Sequence, residues 1–211
     1  STGETASATT DATTTDATTT SATTTSATTN ATTNATTTAT TTTGAGGATP
    51  GVVWINELHY DNSGADAGEG VEVAGTAGQS LAGWSIVRYN GTGGGVVGTT
   101  ALSGTIPSQL GGFGTIWFPI AGLENGAPDG LALVDDMSTV VQFLSYEGAF
   151  AATAGPANGM MSIDIGVSEE PAPAAGLSLQ LTGAGSSYAD FMWVEDVPAS
   201  PDQPNAGQIF N

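Results

Sequence analysis

The sequence predicts an all-β protein, an antiparallel β-sandwich with an extended, non-globular N-terminal arm. Three observations lead there. Of the first 50 residues, 25 are Thr and none is Val, Ile, Leu, Met, Phe, Tyr or Trp, so burial cannot offset the entropy of ordering them. Every large apolar side chain lies in residues 51–211, in short β-rich runs separated by Gly, Asn, Asp and Pro. No stretch of the chain combines a 3.6-residue apolar period with helix caps. The expected organisation is an arm over residues 1–43, a joint over 44–51 and one sandwich domain over 52–211.

The arm comes first. From Thr9 to Thr43 it uses only Thr, Ala, Asp, Ser and Asn, with Ala at Ala12, Ala17, Ala22, Ala27, Ala31, Ala35 and Ala39. The unit is an irregular Asp/Ser/Asn-Ala-Thr-Thr-(Thr). β-Branched Thr favours extended backbone over helix, and the repeat has neither the glycine period of collagen nor the heptads of a coiled coil. Fully extended, the tract would reach about 115 Å at roughly 3.3 Å per residue. Composition alone allows a bare disordered linker. Dense hydroxyls also suit a stalk stiffened by O-linked sugars. The candidate acceptors are Thr13, Thr14, Thr15, Thr18, Thr19, Thr20, Thr23, Thr24, Thr25, Thr28, Thr29, Thr32, Thr33, Thr36, Thr37 and Thr38. Asn30 and Asn34 open N-glycosylation sequons in the arm, and Asn90 opens one in the domain.

Gly44-Ala45-Gly46-Gly47-Ala48-Thr49-Pro50-Gly51 then reads as a flexible joint. Strands are expected near Val52–Tyr60, Gly70–Ala74, Trp84–Tyr89, Val96–Leu102, Thr115–Ile120, Gly130–Val134, Val140–Tyr146, Leu177–Leu181 and Phe191–Val194. Many short strands joined by turns argue a sandwich. Gly148–Ala175 is long, holds Pro156, Pro171 and Pro173, and reads as an ordered surface excursion.

Charge narrows the function. One Arg, no Lys and one His stand against 20 acids, a net charge of −19. Phosphate neutralisation needs Lys and Arg, so nucleic acid is not an expected partner, and anionic membrane surfaces are excluded likewise. No apolar run approaches the roughly 18 residues of a spanning helix. Strong acidity suggests solubility with cations, salt or a basic partner. Absent Cys removes disulfides, thiol nucleophiles and thiolate metal sites. Ser1 in place of an initiator Met is consistent with a removed secretion signal.

Several motifs carry a family likeness. Val53-Trp54-Ile55-Asn56-Glu57-Leu58-His59-Tyr60-Asp61-Asn62, Gly68-Glu69-Gly70-Val71-Glu72-Val73-Ala74-Gly75 and Leu81-Ala82-Gly83-Trp84-Ser85-Ile86-Val87 resemble the opening motifs of bacterial lamin-tail-like domains. Asn125–Asp135, Val141–Gly148, Ser178–Leu181 and Tyr188–Trp193 continue the resemblance in order. It covers about residues 52–211 and leaves the arm outside. It implies an immunoglobulin-like sandwich secreted by bacteria, often accessory to extracellular nucleases or phosphatases or carried on surface proteins. No catalytic residues carry over. No catalytic domain is expected within these 211 residues, and Arg88 stands where an apolar residue is more usual.

Few residues offer chemistry. Asp61, Asp66 and Glu69 lie in the most oxygen-rich loop, whose carboxylates could contribute to a Ca²⁺ site although the spacing is not that of an EF-hand. Asp129, Asp135 and Asp136 form a second acidic group. No cofactor is required, and calcium is the only candidate. His59, the sole His, is expected to be a hydrogen-bonded structural residue. Glu169-Glu170 is expected in a solvated loop with its two side chains on opposite faces. Trp54, Trp84, Trp117 and Trp193 lie in strand-like runs and are expected to pack in the core rather than to form a sugar platform. Arg88, one cation among many acids, is expected to form an ion pair with a carboxylate.

These readings converge on a non-enzymatic, secreted subunit of an extracellular filament or surface assembly, joined head-to-tail to copies of itself and bearing covalent glycans. The alternative is a monomeric adhesion module on a mucin-like stalk. Native material should exceed the bare 20.7 kDa of the polypeptide in intact-mass measurement. A mass equal to the bare chain would remove the glycans from this reading.

Overall fold

The computed structural model describes residues 51–211. The Thr acceptors, Asn30 and Asn34 lie outside the described residues. The domain is the expected β-sandwich of two largely antiparallel sheets. Its strands are β1 Val53–His59, β2 Gly70–Thr76, β3 Ser85–Asn90, β4 Gly95–Ala101, β5 Phe113–Pro119, β6 Asp129–Val134, β7 Val140–Tyr146, β8 Ile163–Asp164, β9 Leu177–Gly185, β10 Phe191–Pro198 and β11 Gln208–Phe210. All nine expected strands form, each within a few residues of the expected bounds. Two were not anticipated: β8 has only two residues, and β11 follows a Pro-rich stretch that reads as loop.

The first sheet runs β10-β9-β1-β2-β5, with β11 pairing in parallel against the end of β9. The second runs β4-β3-β6-β7-β8. Strand periodicity sends alternate side chains to opposite faces. Ile55 and Leu58 of β1, Val71 and Val73 of β2, Ile86 of β3 and Leu131 and Leu133 of β6 meet in one buried cluster between the sheets.

A simple sandwich leaves its outer faces wet. Here both are covered. Trp54, Ala74 and Leu181 on the outer face of the first sheet pack with Phe191 and Phe210. Val87, Tyr89, Ala132, Val134 and Phe143 on the outer face of the second pack with Phe150, Ala152 and Ala157 from the segment after β7. Gly148–Ala175 is therefore not a surface excursion alone: part of it forms a lid, because Phe150 and two small Ala side chains fill the space beside Phe143. Double coverage explains why every residue of β1 and β6 is buried.

A bulge in β1 between Ile55 and Glu57 adds one residue opposite β2. It brings Asn56 and Glu57 onto the outer face while Leu58 returns to the core.

Leu133 is fully buried between the sheets. Leu133→Ala should cost about 2–5 kcal/mol in urea unfolding. A loss below about 1 kcal/mol would mean that the site closes without leaving a cavity.

Candidate functional site

Three features stand out from the residues upward: a clasp at the end of β1, a buried acidic network behind the first sheet, and the four sheet edges. The clasp is built on Glu169. As β1 leaves the sheet, the amides of Tyr60 and Asp61 need acceptors. Both donate to Glu169 Oε2 at 2.7 Å. Glu169 Oε1 lies 2.8 Å from His59 Nδ1. The Glu169 amide donates to Tyr60 Oη at 2.6 Å, and that hydroxyl donates to Glu147 Oε1 at 2.7 Å. Tyr60 also stacks on Tyr146 with ring centroids 4.0 Å apart.

His59 is thus the hydrogen-bonded residue expected. Its Nε2 lies 3.0 Å from Asn62 Nδ2 and 3.2 Å from the Ala67 carbonyl. The neutral ring accepts from Asn62, whereas the imidazolium donates to Ala67. The bond to Glu169 holds the His59 pKa above its ordinary value, against burial, which lowers it. The expectation for Glu169-Glu170 needs correction. Glu170 is exposed, but Glu169 is only 2% exposed, because it satisfies the two strand-end amides.

Behind the first sheet, Glu57 and Glu72 are register partners across β1 and β2, and both are fully buried. Glu57 accepts from Ser178 Oγ at 2.7 Å and from the Ser200 amide and hydroxyl, both at 3.0 Å. Glu72 accepts from Asn56 Nδ2 at 3.0 Å and the Asp202 amide at 2.7 Å. Asn56 and Gln208 bond each other through both side-chain amides, and Asn205 Nδ2 donates to the carbonyls of Asn56 and Leu181. Burial pushes Glu72 up to about 9, with Glu57 adding repulsion and its two donors pulling the other way. No sequence reading singled out this network. Its signal was an acid at the centre of an apolar strand run, in both Ile55–Leu58 and Val71–Val73.

The remaining candidates do not assemble as expected. Asp61 is buried, Asp66 is exposed, and Glu69 accepts the Gly122 amide at 2.7 Å. Among the described residues no three His, Asp or Glu side chains converge as a metal group. Asp129 clamps the amides of Gly91 and Gly126 at 3.0 Å, whereas Asp135 accepts from Met137 and Thr139 in its own turn.

Arg88 makes no ion pair with a carboxylate among the described residues. Its Nη1 donates to the carbonyls of Ala121 at 2.9 Å and Gly122 at 2.6 Å. The guanidinium satisfies loop carbonyls, while Glu69 holds the amide of the same Gly122. Asn90 is half-buried and donates to Glu124 Oε2 at 3.1 Å, so a glycan there would leave Nδ2 one N–H for that bond. Trp54 and Trp84 are core residues, as expected. Trp117 and Trp193 are only partly buried, and Trp117 walls a cleft of about 280 Å³ that also touches His59, Leu177 and Pro201.

The edges differ sharply. On β5 the outward amides are Phe113, Thr115 and Trp117, which donate to Leu110 O at 2.9 Å, Gln109 Oε1 at 2.8 Å and Asp202 Oδ1 at 2.8 Å. On β10 a bulge, Glu195, Asp196 at φ 57° and Pro198 interrupt the edge. The β8 edge is two residues long. Among the described residues β4, Gly-Val-Val-Gly-Thr-Thr-Ala, pairs only with β3; it has a bulge opposite Arg88–Tyr89 and carries neither charge nor proline.

Comparison with protein families, curated proteins and solved structures finds no match to this chain.

Two predictions follow from the buried acids and the clasp. The raised His59 pKa contributes stability fully present below pH 6.5 and lost as pH rises through its folded value. Glu72 ionises near 4.5 when unfolded and near 9 when folded, so stability falls across that interval too. Thermal melts should drop by roughly 5–10 °C between pH 5 and pH 8.5, with a shallower fall in Glu72→Gln. A pH-independent melting point would contradict both shifts. Glu169→Ala strands two buried amides and one imidazole and should cost about 3–5 kcal/mol, with Glu169→Gln retaining an acceptor and costing less. Equal losses in chemical denaturation would show that the anion, not the acceptor, closes the clasp.

Proposed function

We propose that this chain is a secreted structural subunit of an extracellular, glycosylated filament or surface assembly, self-associating through its Thr-rich arm and its β-sandwich. One pairing of features supports the reading. A β-prone tract that reaches about 115 Å when extended belongs to the same chain as a sandwich with a seven-residue edge strand that carries neither charge nor proline. An exposed edge is a template for a further strand, and an arm that leaves its own domain can supply one. A contact of that kind is heterologous and propagates head-to-tail unless it closes into a ring. O-linked sugars on the arm would coat such an assembly. The lamin-tail-like resemblance belongs to this reading as a secreted, non-catalytic module.

A second reading, an adhesion module on a mucin-like stalk, is favoured by the cleft beside Trp117, whose partly exposed indole could stack on a sugar ring. Electron microscopy of stained material separates the two. The full chain should form fibres or arrays, and deletion of residues 1–47 should leave a folded monomer. Fibres of unchanged diameter from the truncated protein would make the arm a coat and place the joint between sandwich faces. A full chain that remains monomeric favours the stalked module.

A further inference from the structure

Resting on that reading of self-association, we infer that β4 is the acceptor edge and that its occupant is the uncharged part of the arm, residues 17–43, of a neighbouring copy. The first argument is hydrogen-bonding capacity. The Leu102 amide donates to Trp84 O at 2.8 Å, which sets the two-residue phase of the β3–β4 ladder. Thr100, opposite Ile86, therefore bonds inward, and the amides of Thr99 and Ala101 face away from β3. No described segment is hydrogen-bonded to those two amides. The corresponding amides on β5 are all capped, by one main-chain carbonyl and two side chains. β4 has a bulge of its own opposite Arg88–Tyr89, but beyond it Thr99 and Ala101 present two outward amides that no described segment caps.

The second argument is charge. Residues 51–211 carry 17 of the 20 acids and the single Arg, so two domains brought edge to edge repel. The arm carries only Glu4, Asp11 and Asp16, and from Ala17 to Thr43 it has no charged residue. Among the segments of this chain, that stretch is long, β-prone and free of the repulsion that a second domain would bring. β4 is equally neutral, with Val96 38% and Val97 44% exposed and Thr99 also exposed.

The third argument is register. An added strand needs only about seven residues to cover β4, and the Thr repeat has no apolar side to enforce one alignment. Several windows of residues 17–43 can therefore pair with the same edge, and any Thr bearing a bulky sugar against the sheet removes its window. Modification would then set which part of the arm engages.

The test uses the full chain. Sedimentation velocity across a concentration series reads assembly, and hydrogen exchange reads the amides of residues 95–101. β4 should gain protection as assembly proceeds, with β10 unchanged. Thr99→Pro removes one outward donor, leaves the inward ladder intact, and should raise the concentration needed for assembly at least tenfold. Thr99→Lys, which places a charge on the edge while keeping the amide, should act in the same direction if the proline variant melts early. A synthetic peptide of residues 17–43 added in excess should dissolve the assembly. Variants that assemble like the wild type would overturn the assignment of β4 while leaving self-association standing. β4 protection already complete in dilute monomer would mean that the occupant is the chain's own arm, overturning the neighbour. A wild-type chain that never assembles overturns both this inference and the reading beneath it.

Discussion

Glu57 and Glu72 sit side by side with no access to water, and much of the first sheet is organised around keeping them satisfied. A buried carboxylate without partners is expensive, and two adjacent ones repel as well. The chain meets that demand with groups distant in sequence: Ser178 on β9 and Ser200 for Glu57, the Asp202 amide for Glu72, and Asn205 and Gln208 to hold Asn56, which itself donates to Glu72. Because those donors must arrive together, the stretch from Pro198 to Phe210 is bound down over the sheet rather than left as a tail. Once there, it carries Phe210 against Trp54 and Phe191 and holds Asp202 where it caps the Trp117 amide on β5. One polar constraint thereby positions an aromatic cluster and closes a sheet edge.

Glu169 plays the equivalent part at the other end of β1. A strand leaving a sheet has amides that must be satisfied, and a carboxylate from a remote loop supplies both acceptor sites. The same contact fixes the loop after β8, orients His59, and ties Tyr60 to the wall formed by Tyr146 and Glu147. In both places the acids of this acidic chain serve as internal acceptors. Part of the polar chemistry visible in the motifs is therefore directed inward, while Asp66 and Glu170 stay at the surface.

The strands were largely legible in the sequence because β-rich runs between Gly and Pro turns report local preference, and local preference and packing agree here. Trp54 and Trp84 were legible as core for the same reason. The fate of single polar residues was not. Arg88 appeared destined for a carboxylate on composition, yet the β5–β6 loop presents two carbonyls to it, and geometry outweighed the abundance of acids. Asp61, Asp66 and Glu69 looked convergent because they are close in sequence. The first turns inward as β1 ends, the second faces solvent, and the third caps Gly122.

The sequence by itself determined the division into a Thr-rich arm and an apolar-bearing domain, the β class, and the scarcity of positive charge, one Arg and no Lys against 20 acids. Those are consequences of composition and short-range periodicity, which act residue by residue. The tertiary structure alone decided that both sheet faces are covered, that Glu57, Glu72 and Glu169 are interior, and that the Thr99 and Ala101 amides of β4 meet no partner among the described residues. Each depends on which distant segments arrive beside a strand. A carboxylate in a strand carries the same local signal whether water or a remote serine completes its hydrogen bonds.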